Sequence, residues 1–280
     1  MRDIRLIGLD LDETLLRRDK SISERTYRAI GQAQAAGITV VPVTGRPLSG
    51  LMPEVRRIDG LHYAITSNGA VTTILPTGER IRERLMPKAS VRAILASCSR
   101  PDLSREVFIS GYGYCTADIL AGHERRYAGT PFLDYVLASR RVVDDLDSFI
   151  ASQPDSFENI CIVYDDISVI DELHSSVRAA YGSGDEALCI SRTAPRVIEI
   201  GANGADKGAA LLALAATLGI PRKCVCAVGD SDNDLGMLRS AGYPVAMGNA
   251  SDAVKALASH ITSDNEHDGV AEVIESFIHS

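Results

Sequence analysis

The sequence has no tryptophan, and aromatic residues make up only 5% of its 280 positions. Its core must therefore be built mainly from aliphatic side chains, which its ordinary hydrophobic content of 45% can supply. It also lacks any apolar run near the roughly 18 to 20 residues that a membrane span requires. Asp3 and Arg5 interrupt any amino-terminal signal segment. These absences predict a cytoplasmic protein with no membrane partner.

A basic excess is missing as well. The chain carries 29 Lys and Arg residues against 37 Asp and Glu residues, which gives a net charge of -8. A nucleic-acid groove needs a basic stripe, so no nucleic-acid partner is expected. The six cysteines are scattered and form no disulfide framework or zinc motif. Cys224 and Cys226 have no second pair at zinc spacing, and we interpret them as buried strand thiols.

The length of the chain fits two domains. At both ends of the chain, short apolar runs alternate with helical patterns, which predicts a parallel sheet with helices. Pro42 is an objection to a central strand because it cannot donate a ladder hydrogen bond, but its run ends in Thr44-Gly45-Arg46, as expected at a strand exit. We expect strands at residues 4–9, 38–43, 62–67, 224–228, 243–247 and 260–262, and helices at residues 23–37, 206–218 and 270–278.

The middle of the chain has a mixed pattern without clustered carboxylates at strand exits. We assign residues 83–201 to an α+β cap domain inserted into a core made of residues 1–82 and 202–280. The predicted fold class is α/β, with a Rossmann-like doubly wound parallel-sheet core. Within the cap we expect helices at 90–98, 142–152 and 168–181, and strands at 107–110, 112–116, 160–164, 187–190 and 197–200.

Polar residues gather where the predicted core strands end. Asp10 and Asp12 follow the first strand, Thr44 follows the second and Asn68 the third. In an open parallel sheet, ligands bind outside the carboxyl ends of the strands. Two carboxylates this close repel one another unless a cation or a shared proton neutralises them. The pair therefore predicts a metal site, an acid/base role, or both.

A second acidic group, residues 229–234, places Asp230, Asp232 and Asp234 after a later strand. A helix-loop-helix calcium site would need Gly where Leu235 stands and Glu where Ala241 stands, so we exclude it. The remaining interpretation is a hard-cation site shared with Asp10. Mg²⁺ prefers one or two carboxylates together with water and substrate phosphate, so it is the expected cofactor.

Lys207 lies at a predicted helix start, where a cation opposes the helix dipole. With the Thr44 hydroxyl and nearby backbone N–H groups, it could hold the oxygens of a transferring phosphoryl group. The alternative is an ordinary helix start capped by Asp206.

Taken in order, Asp10-Leu11-Asp12-Glu13-Thr14-Leu15, Thr44-Gly45-Arg46, Lys207 and residues 229–234 resemble the four motifs of the haloacid dehalogenase superfamily. The long insert between the second and third motifs resembles the type 2 cap of its Cof-like phosphatases. Glu13 departs mildly from the Gly or small polar residue usual at that position.

The resemblance implies a phosphatase in which Asp10 attacks phosphorus and Asp12 is the general acid and base. Mg²⁺ would be held by Asp10, the carbonyl of Asp12 and Asp230, with Asp234 acting directly or through water. Substrate contact is expected at Arg46 and Asn68. Phosphate contacts are expected from Thr44, Gly45, Lys207 and Asn233.

Three functions compete on these motifs. The first is a Mg²⁺-dependent phosphatase of small phosphorylated metabolites, sugar phosphates being the commonest class in the subfamily. The second is a phosphotransferase of the phosphomutase kind, which would return the phosphoryl group to a sugar hydroxyl. The third is a phospho-Asp receiver module, against which the length and Asp12 both argue. The protein is expected to be a monomer or a homodimer.

Overall fold

The computed structural model describes residues 3–98, 100, 103–164, 166–184, 187–194 and 196–278. None of the helices in these ranges is both long and apolar enough to cross a bilayer. The strands are β1 (Leu6–Leu9), β2 (Thr39–Pro42), β3 (Tyr63–Thr66), β4 (Val71–Ile74), β5 (Glu79–Glu83), β6 (Ser104–Ile109), β7 (Tyr112–Cys115), β8 (Arg140–Val142), β9 (Phe157–Val163), β10 (Cys189–Ala194), β11 (Val197–Gly201), β12 (Val225–Gly229), β13 (Tyr243–Ala246) and β14 (His260–Ile261). The α-helices are α1 (Glu24–Ala35), α2 (Pro53–Arg56), α3 (Lys88–Ser97), α4 (Ala117–Tyr127), α5 (Phe132–Ser139), α6 (Leu146–Ser152), α7 (Ile167–Tyr181), α8 (Lys207–Thr217), α9 (Leu235–Ser240), α10 (Asp252–Lys255) and α11 (Gly269–Ile278).

The chain divides into two compact units. The core unit comprises Met1–Thr44, Met52–Arg82 and Asp206–Ser280, and the insert unit comprises Gly45–Leu51 and Glu83–Ala205. These bounds differ from the predicted ones at residues 45–51 and 202–205, which lie with the insert unit. The predicted role of the insert in substrate specificity stays a prediction.

The core unit is built on a parallel five-stranded sheet in the order β14-β13-β12-β1-β2. Every residue of β1 and β12 is buried, which means that both faces of the sheet are covered. Helix α1 packs against α11, and α8 packs against α9. The predicted doubly wound α/β core is confirmed.

Pro42 fits in β2 because of the direction in which its missing N–H would point. Thr39 and Val43 donate to Arg5 and Leu9 on the β1 side, at 2.9 and 2.8 Å. Residue 42 therefore faces the opposite side, where pairing with β3 begins only at Val43 and at Thr44, whose N–H donates to Ile65. No ladder hydrogen bond is lost at this position.

Side-chain caps set the starts of two core helices. Ser23 accepts a hydrogen bond from the Thr26 N–H at 3.0 Å and begins α1, as predicted. Asp206 accepts from the Ala209 N–H at 2.8 Å and begins α8. Lys207 is therefore the first residue of a capped helix.

The insert unit contains a six-stranded sheet in the order β10-β11-β9-β6-β7-β8, antiparallel except for the pair β7 and β8. The predicted helix over 142–152 is wrong at its start. Residues 140–142 form the edge strand β8, and α6 begins only after Asp145, whose carboxylate accepts from the Ser148 N–H. Helices α4 and α5 were not predicted, because their charged and aromatic residues obscure the apolar period.

A buried charge cluster lies inside the insert unit. The Glu106 carboxylate contacts the His123 ring and the Arg140 guanidinium, the latter at 2.9 Å. Burial alone would raise the pKa of Glu106, but Arg140 and His123 outweigh it and lower that pKa to about 2. This carboxylate is electrostatically satisfied within its own unit.

Two helical glycines of the core unit test its packing. A Cβ at Gly208 would lie 2.4 Å from the backbone oxygen of Gly236, whereas a Cβ at Gly31 would meet nothing within 4 Å. We expect Gly208→Ala to lower the free energy of unfolding by about 1–3 kcal/mol, because α8 and α9 must separate. The matched control Gly31→Ala should raise it by about 0.5–1 kcal/mol through helix propensity. Urea unfolding of both variants measures this, and a shift of the same sign in both would contradict the packing described.

Candidate active site

Three carboxylates converge at the carboxyl ends of β1 and β12. Asp10 follows β1, and Asp230 and Asp234 follow β12. One oxygen from each lies within 4.8 Å of the others, and Asp10 and Asp234 are buried. The two neighbouring strands thus bring together residues that lie more than 200 positions apart in the sequence.

The ammonium group of Lys207 lies among these carboxylates. The Lys207 Nζ donates to Asp10 Oδ1 at 2.6 Å and to Asp234 Oδ1 at 2.7 Å, and Lys207 is only 1% exposed. Burial alone would lower the pKa of Lys207, but Asp10 and Asp234 outweigh it and raise that pKa, so the group stays charged. Asp206 therefore caps α8, and Lys207 reaches the carboxylate cluster from the first position of that helix. Its predicted contact with phosphate stays a prediction.

The second oxygen of Asp234 is held by the backbone. Asp234 Oδ2 accepts the N–H groups of Asp230 and Ser231, each at 3.1 Å, and the Ser231 side chain completes a capping box. Gly229 makes room for this arrangement, because a Cβ there would lie 2.6 Å from the Asp234 carboxyl carbon. Asp234 thus orients both Lys207 and the loop that carries Asp230.

The carboxylates outnumber the Lys207 ammonium, and the pKa values of Asp10 and Asp230 are raised. Burial first, and then Asp234 and Asp230, raise the pKa of Asp10 well above its usual range despite Lys207. Burial and Asp234 also raise the pKa of Asp230 to about 7, against the opposing effects of Thr14 and Lys207. When all three carboxylates ionise, their charge exceeds that of the Lys207 ammonium by two. The oxygen donors and this excess fit a hard divalent cation.

Asp12 lies apart from that cluster, in the turn after β1. Its side chain is 34% exposed, and its Oδ1 accepts from the Lys20 Nζ at 2.9 Å. Its carboxylate is not one of the three that converge. The predicted metal contact through its backbone carbonyl, and its catalytic role, stay predictions.

The predicted phosphate and substrate residues of the core unit form one connected set. Thr44 is buried, and its backbone oxygen accepts the Asn68 N–H at 3.0 Å. The Asn233 Nδ2 donates to Asn68 Oδ1 at 3.4 Å. Ser67 and Asn68 both have positive φ, at 49° and 53°, a strain typical of functional loops. The geometry links Thr44, Asn68 and Asn233 without testing their contact with phosphate.

Gly45 and Arg46 lie in the insert unit. Arg46 is 3% exposed, its guanidinium lies 4.0 Å from the centre of the Tyr135 ring, and its Nη1 donates to the Gly50 oxygen at 3.2 Å. A Cβ at Gly50 would lie 2.5 Å from that ring, so the segment wraps closely around Tyr135. Arg46 thus packs within the insert unit, and its substrate contact stays a prediction.

Two residues at the site were missed in the sequence. The Thr14 hydroxyl donates to Asp230 Oδ1 at 2.9 Å, and Lys20 binds Asp12. Thr14 lies inside the first motif and could have been included. No sequence signal points to Lys20, because its contact depends on a turn that brings residue 20 back to residue 12.

Known proteins resemble this chain along nearly its whole length. A sequence model of the family described as haloacid dehalogenase-like hydrolase matches residues 7–274. Phosphatase YwpJ of Bacillus subtilis is 30% identical over 291 positions, which cover 98% of this chain and all of that relative. The 5-amino-6-(5-phospho-D-ribitylamino)uracil phosphatase YcsE of the same bacterium is 29% identical, over 99% of this chain and 96% of that relative.

A solved structure agrees with these sequence matches. A haloacid dehalogenase-like hydrolase from B. subtilis has a TM-score of 0.86 and 28% identity, and the match covers 97% of this chain and 99% of that one. The resemblance predicted from the four motifs is therefore confirmed.

The raised pKa of Asp230 predicts how the metal-free protein responds to pH. Between the usual pKa of an aspartate, roughly 4, and about 7 the folded protein binds more protons at this group than the unfolded chain does. Stability should therefore fall as pH rises through this window, and the melting temperature should fall by about 2–4 °C for each 1 kcal/mol of stability lost.

Melting curves in EDTA from pH 5 to 8 measure how steeply the melting temperature depends on pH. Asp230→Asn should make this slope shallower, whereas Asp232→Asn, at an exposed carboxylate of the same loop, should leave it unchanged. Equal slopes in the two variants would contradict the assignment.

Proposed function

Since this chain belongs to the haloacid dehalogenase-like hydrolases and is a phosphatase, we propose that it hydrolyses small phosphorylated metabolites with Mg²⁺ through a phosphorylated Asp10. The observation that carries this proposal is the buried Asp10 carboxylate held by Lys207 beside Asp230 and Asp234. A receiver module is not favoured, because the relatives along the whole chain are phosphatases.

The proposed reaction has two displacements at phosphorus. An Asp10 oxygen attacks phosphorus, the bond to the leaving oxygen breaks, and Asp12 gives that oxygen a proton. Water then attacks the same phosphorus while Asp12 takes a proton from it. The bond between phosphorus and Asp10 breaks, its electron pair returns to the carboxylate, and inorganic phosphate is released. The position of Asp12 in the turn directly after Asp10 supports this division of roles.

The metal would be held by Asp10, Asp230 and the Asp12 carbonyl, with Asp234 contributing directly or through water. Both oxygens of Asp234 already accept hydrogen bonds, which supports the indirect alternative. A bound Mg²⁺ supplies positive charge that offsets the carboxylates and the phosphoryl oxygens.

The transferring phosphoryl group would be bound by Thr44, Gly45, Lys207 and Asn233. Lys207 is the best supported of these, because its ammonium group is charged, buried and fixed against Asp10. Asn233 is supported by its contact with Asn68 in the strained turn. Lys207 would act by position and charge and Asn233 by position and hydrogen bonding, and neither needs to exchange a proton.

The substrate class is proposed from chemistry and from the relatives. YcsE is named for a ribityl phosphate, which is a phosphomonoester of a sugar-derived alcohol. We extend that class, small sugar-like phosphomonoesters, to this chain. The six cysteines are present as thiols, five of them buried, which fits the reducing cytoplasm proposed as the location of the protein. A monomer or a homodimer would serve equally, because the proposed groups all belong to one chain.

The nucleophile is tested by Asp10→Asn. The amide cannot attack phosphorus, so phosphate release from a panel of phosphorylated metabolites should fall by at least about 10³-fold. Asp232→Asn is the matched control and should release phosphate at the wild-type rate. Activity of Asp10→Asn within tenfold of the wild type would sink the assignment. If phosphate appeared on an added sugar instead of in solution, the protein would be a phosphotransferase.

The metal is tested by EDTA and by Asp230→Asn. Removing divalent ions should abolish turnover, and adding Mg²⁺ should restore it, because the carboxylates otherwise repel the phosphate. Asp230→Asn should weaken Mg²⁺ binding, measured by calorimetry, together with the rate. Full turnover in EDTA, or unchanged Mg²⁺ affinity in the variant, would remove the metal from the mechanism.

A further inference from the structure

Lys20 adopts a backbone conformation that is unfavourable for lysine. Its φ is +67°, in the left-handed region, and its N–H donates to the Arg17 oxygen at 2.9 Å across a tight turn. This conformation is unfavourable for a residue with a Cβ, whereas glycine adopts it freely. Such strain persists only where the surrounding contacts impose it, and it clusters at functional sites.

The strained backbone directs the Lys20 side chain inward. The side chain is 11% exposed, and its Nζ lies 2.9 Å from Asp12 Oδ1 and 3.9 Å from Glu13 Oε1. A lysine in an exposed turn would normally keep its ammonium group in water. This one instead bridges two neighbouring carboxylates.

Glu13, the second carboxylate near Lys20, connects this turn to two other loops of the core unit. It also has a positive φ, +58°, and its backbone oxygen accepts from the Asn249 Nδ2 at 2.8 Å. Its Oε2 accepts from the Asn265 Nδ2 at 3.3 Å, and that amide also donates to the Leu16 oxygen. The turn that carries Asp12 is thus tied to the loops after β13 and β14, and Lys20 contacts Asp12 itself.

We propose that Lys20 is a positioning residue that holds the Asp12 carboxyl group in the orientation required for its two proton transfers. The inference rests on the proposed function, in which Asp12 serves both displacements. Lys20 makes no contact with substrate in this role and acts only through Asp12.

A positioning role predicts a kinetic signature that depends on the leaving group. With an aryl phosphate such as p-nitrophenyl phosphate, the phenolate leaves without a proton, so formation of the aspartyl phosphate does not need Asp12. Hydrolysis of the aspartyl phosphate does need Asp12, because Asp12 takes a proton from the attacking water. Loss of Lys20 should therefore lower kcat and KM together for this ester, preserve kcat/KM and cause phosphorylated enzyme to accumulate. With an alkyl phosphate the leaving oxygen needs a proton, so kcat/KM should fall as well.

The variant chosen is Lys20→Gly, because glycine removes the ammonium group and suits the left-handed backbone. Its melting temperature should stay at the wild-type value. Lys20→Arg keeps a cation and should restore most of the activity. Arg18→Gln removes a positive charge from an exposed residue of the same turn and should behave as the wild type. We expect Lys20→Gly to lower kcat/KM for an alkyl phosphate about 10- to 100-fold, a part of what general acid catalysis contributes.

Phosphorylated enzyme trapped by acid quench is the second measurement. It should rise in Lys20→Gly during turnover of p-nitrophenyl phosphate and stay low in Arg18→Gln. Equal losses of kcat/KM for the two esters, or no rise in phosphorylated enzyme, would overturn the role of Lys20 alone. A wild type that forms no phosphorylated enzyme would overturn the proposed function, and the role of Lys20 with it.

Discussion

The site depends on the confinement of three carboxylates around one buried ammonium group. Lys207 lies within 2.7 Å of two of them and is itself almost fully buried, so removing it would leave uncompensated charge in the interior. The capped start of α8 fixes its position, and a close approach of Gly69 to the Asp206 backbone, where a Cβ would lie 2.3 Å from the oxygen, leaves no room for adjustment. The packing of the core unit thus keeps the three carboxylates and the Lys207 ammonium close together, although their charges do not balance.

The two units differ in how far their buried carboxylates are neutralised by nearby cations. In the insert unit, Glu106 is matched by Arg140 and His123, and its pKa lies below the usual range. In the core unit, Asp10 and Asp230 have raised pKa values despite Lys207. A carboxylate that is compensated contributes to a fixed interior, whereas carboxylates that are not compensated have affinity for a further cation. The opposite directions of the pKa shifts distinguish a charge-balanced cluster in the insert unit from a cluster with excess negative charge in the core unit.

Sequence reasoning could predict the parts of the site that regular strands and helices position, but not the parts that depend on irregular loops. Asp10 and Asp230 could be placed together from sequence because parallel strands bring their carboxyl ends to one edge. Lys207 could be found because a lysine is unusual at a helix start. The Lys20 contact and the packing of Arg46 on Tyr135 could not, since the first needs a left-handed turn and the second needs a helix whose pattern was not recognised. The pattern of a sequence indicates its regular helices and strands, but it does not indicate the backbone path of a loop or the contacts that this path creates.

The order of the chain also determines when this site can exist. Asp10 and Lys207 are separated by 197 positions, and Thr14 and Asp230 by 216. A ribosome adding roughly 5–20 residues per second needs about 10–40 s to cover that interval. Throughout it, β1 has been made but its neighbour β12 has not, and Asp10 still lacks its partner Lys207. Assembly of the core sheet must therefore wait until the insert has been synthesised, and the nascent amino-terminal segment passes that time as an incomplete domain with an unpaired strand edge.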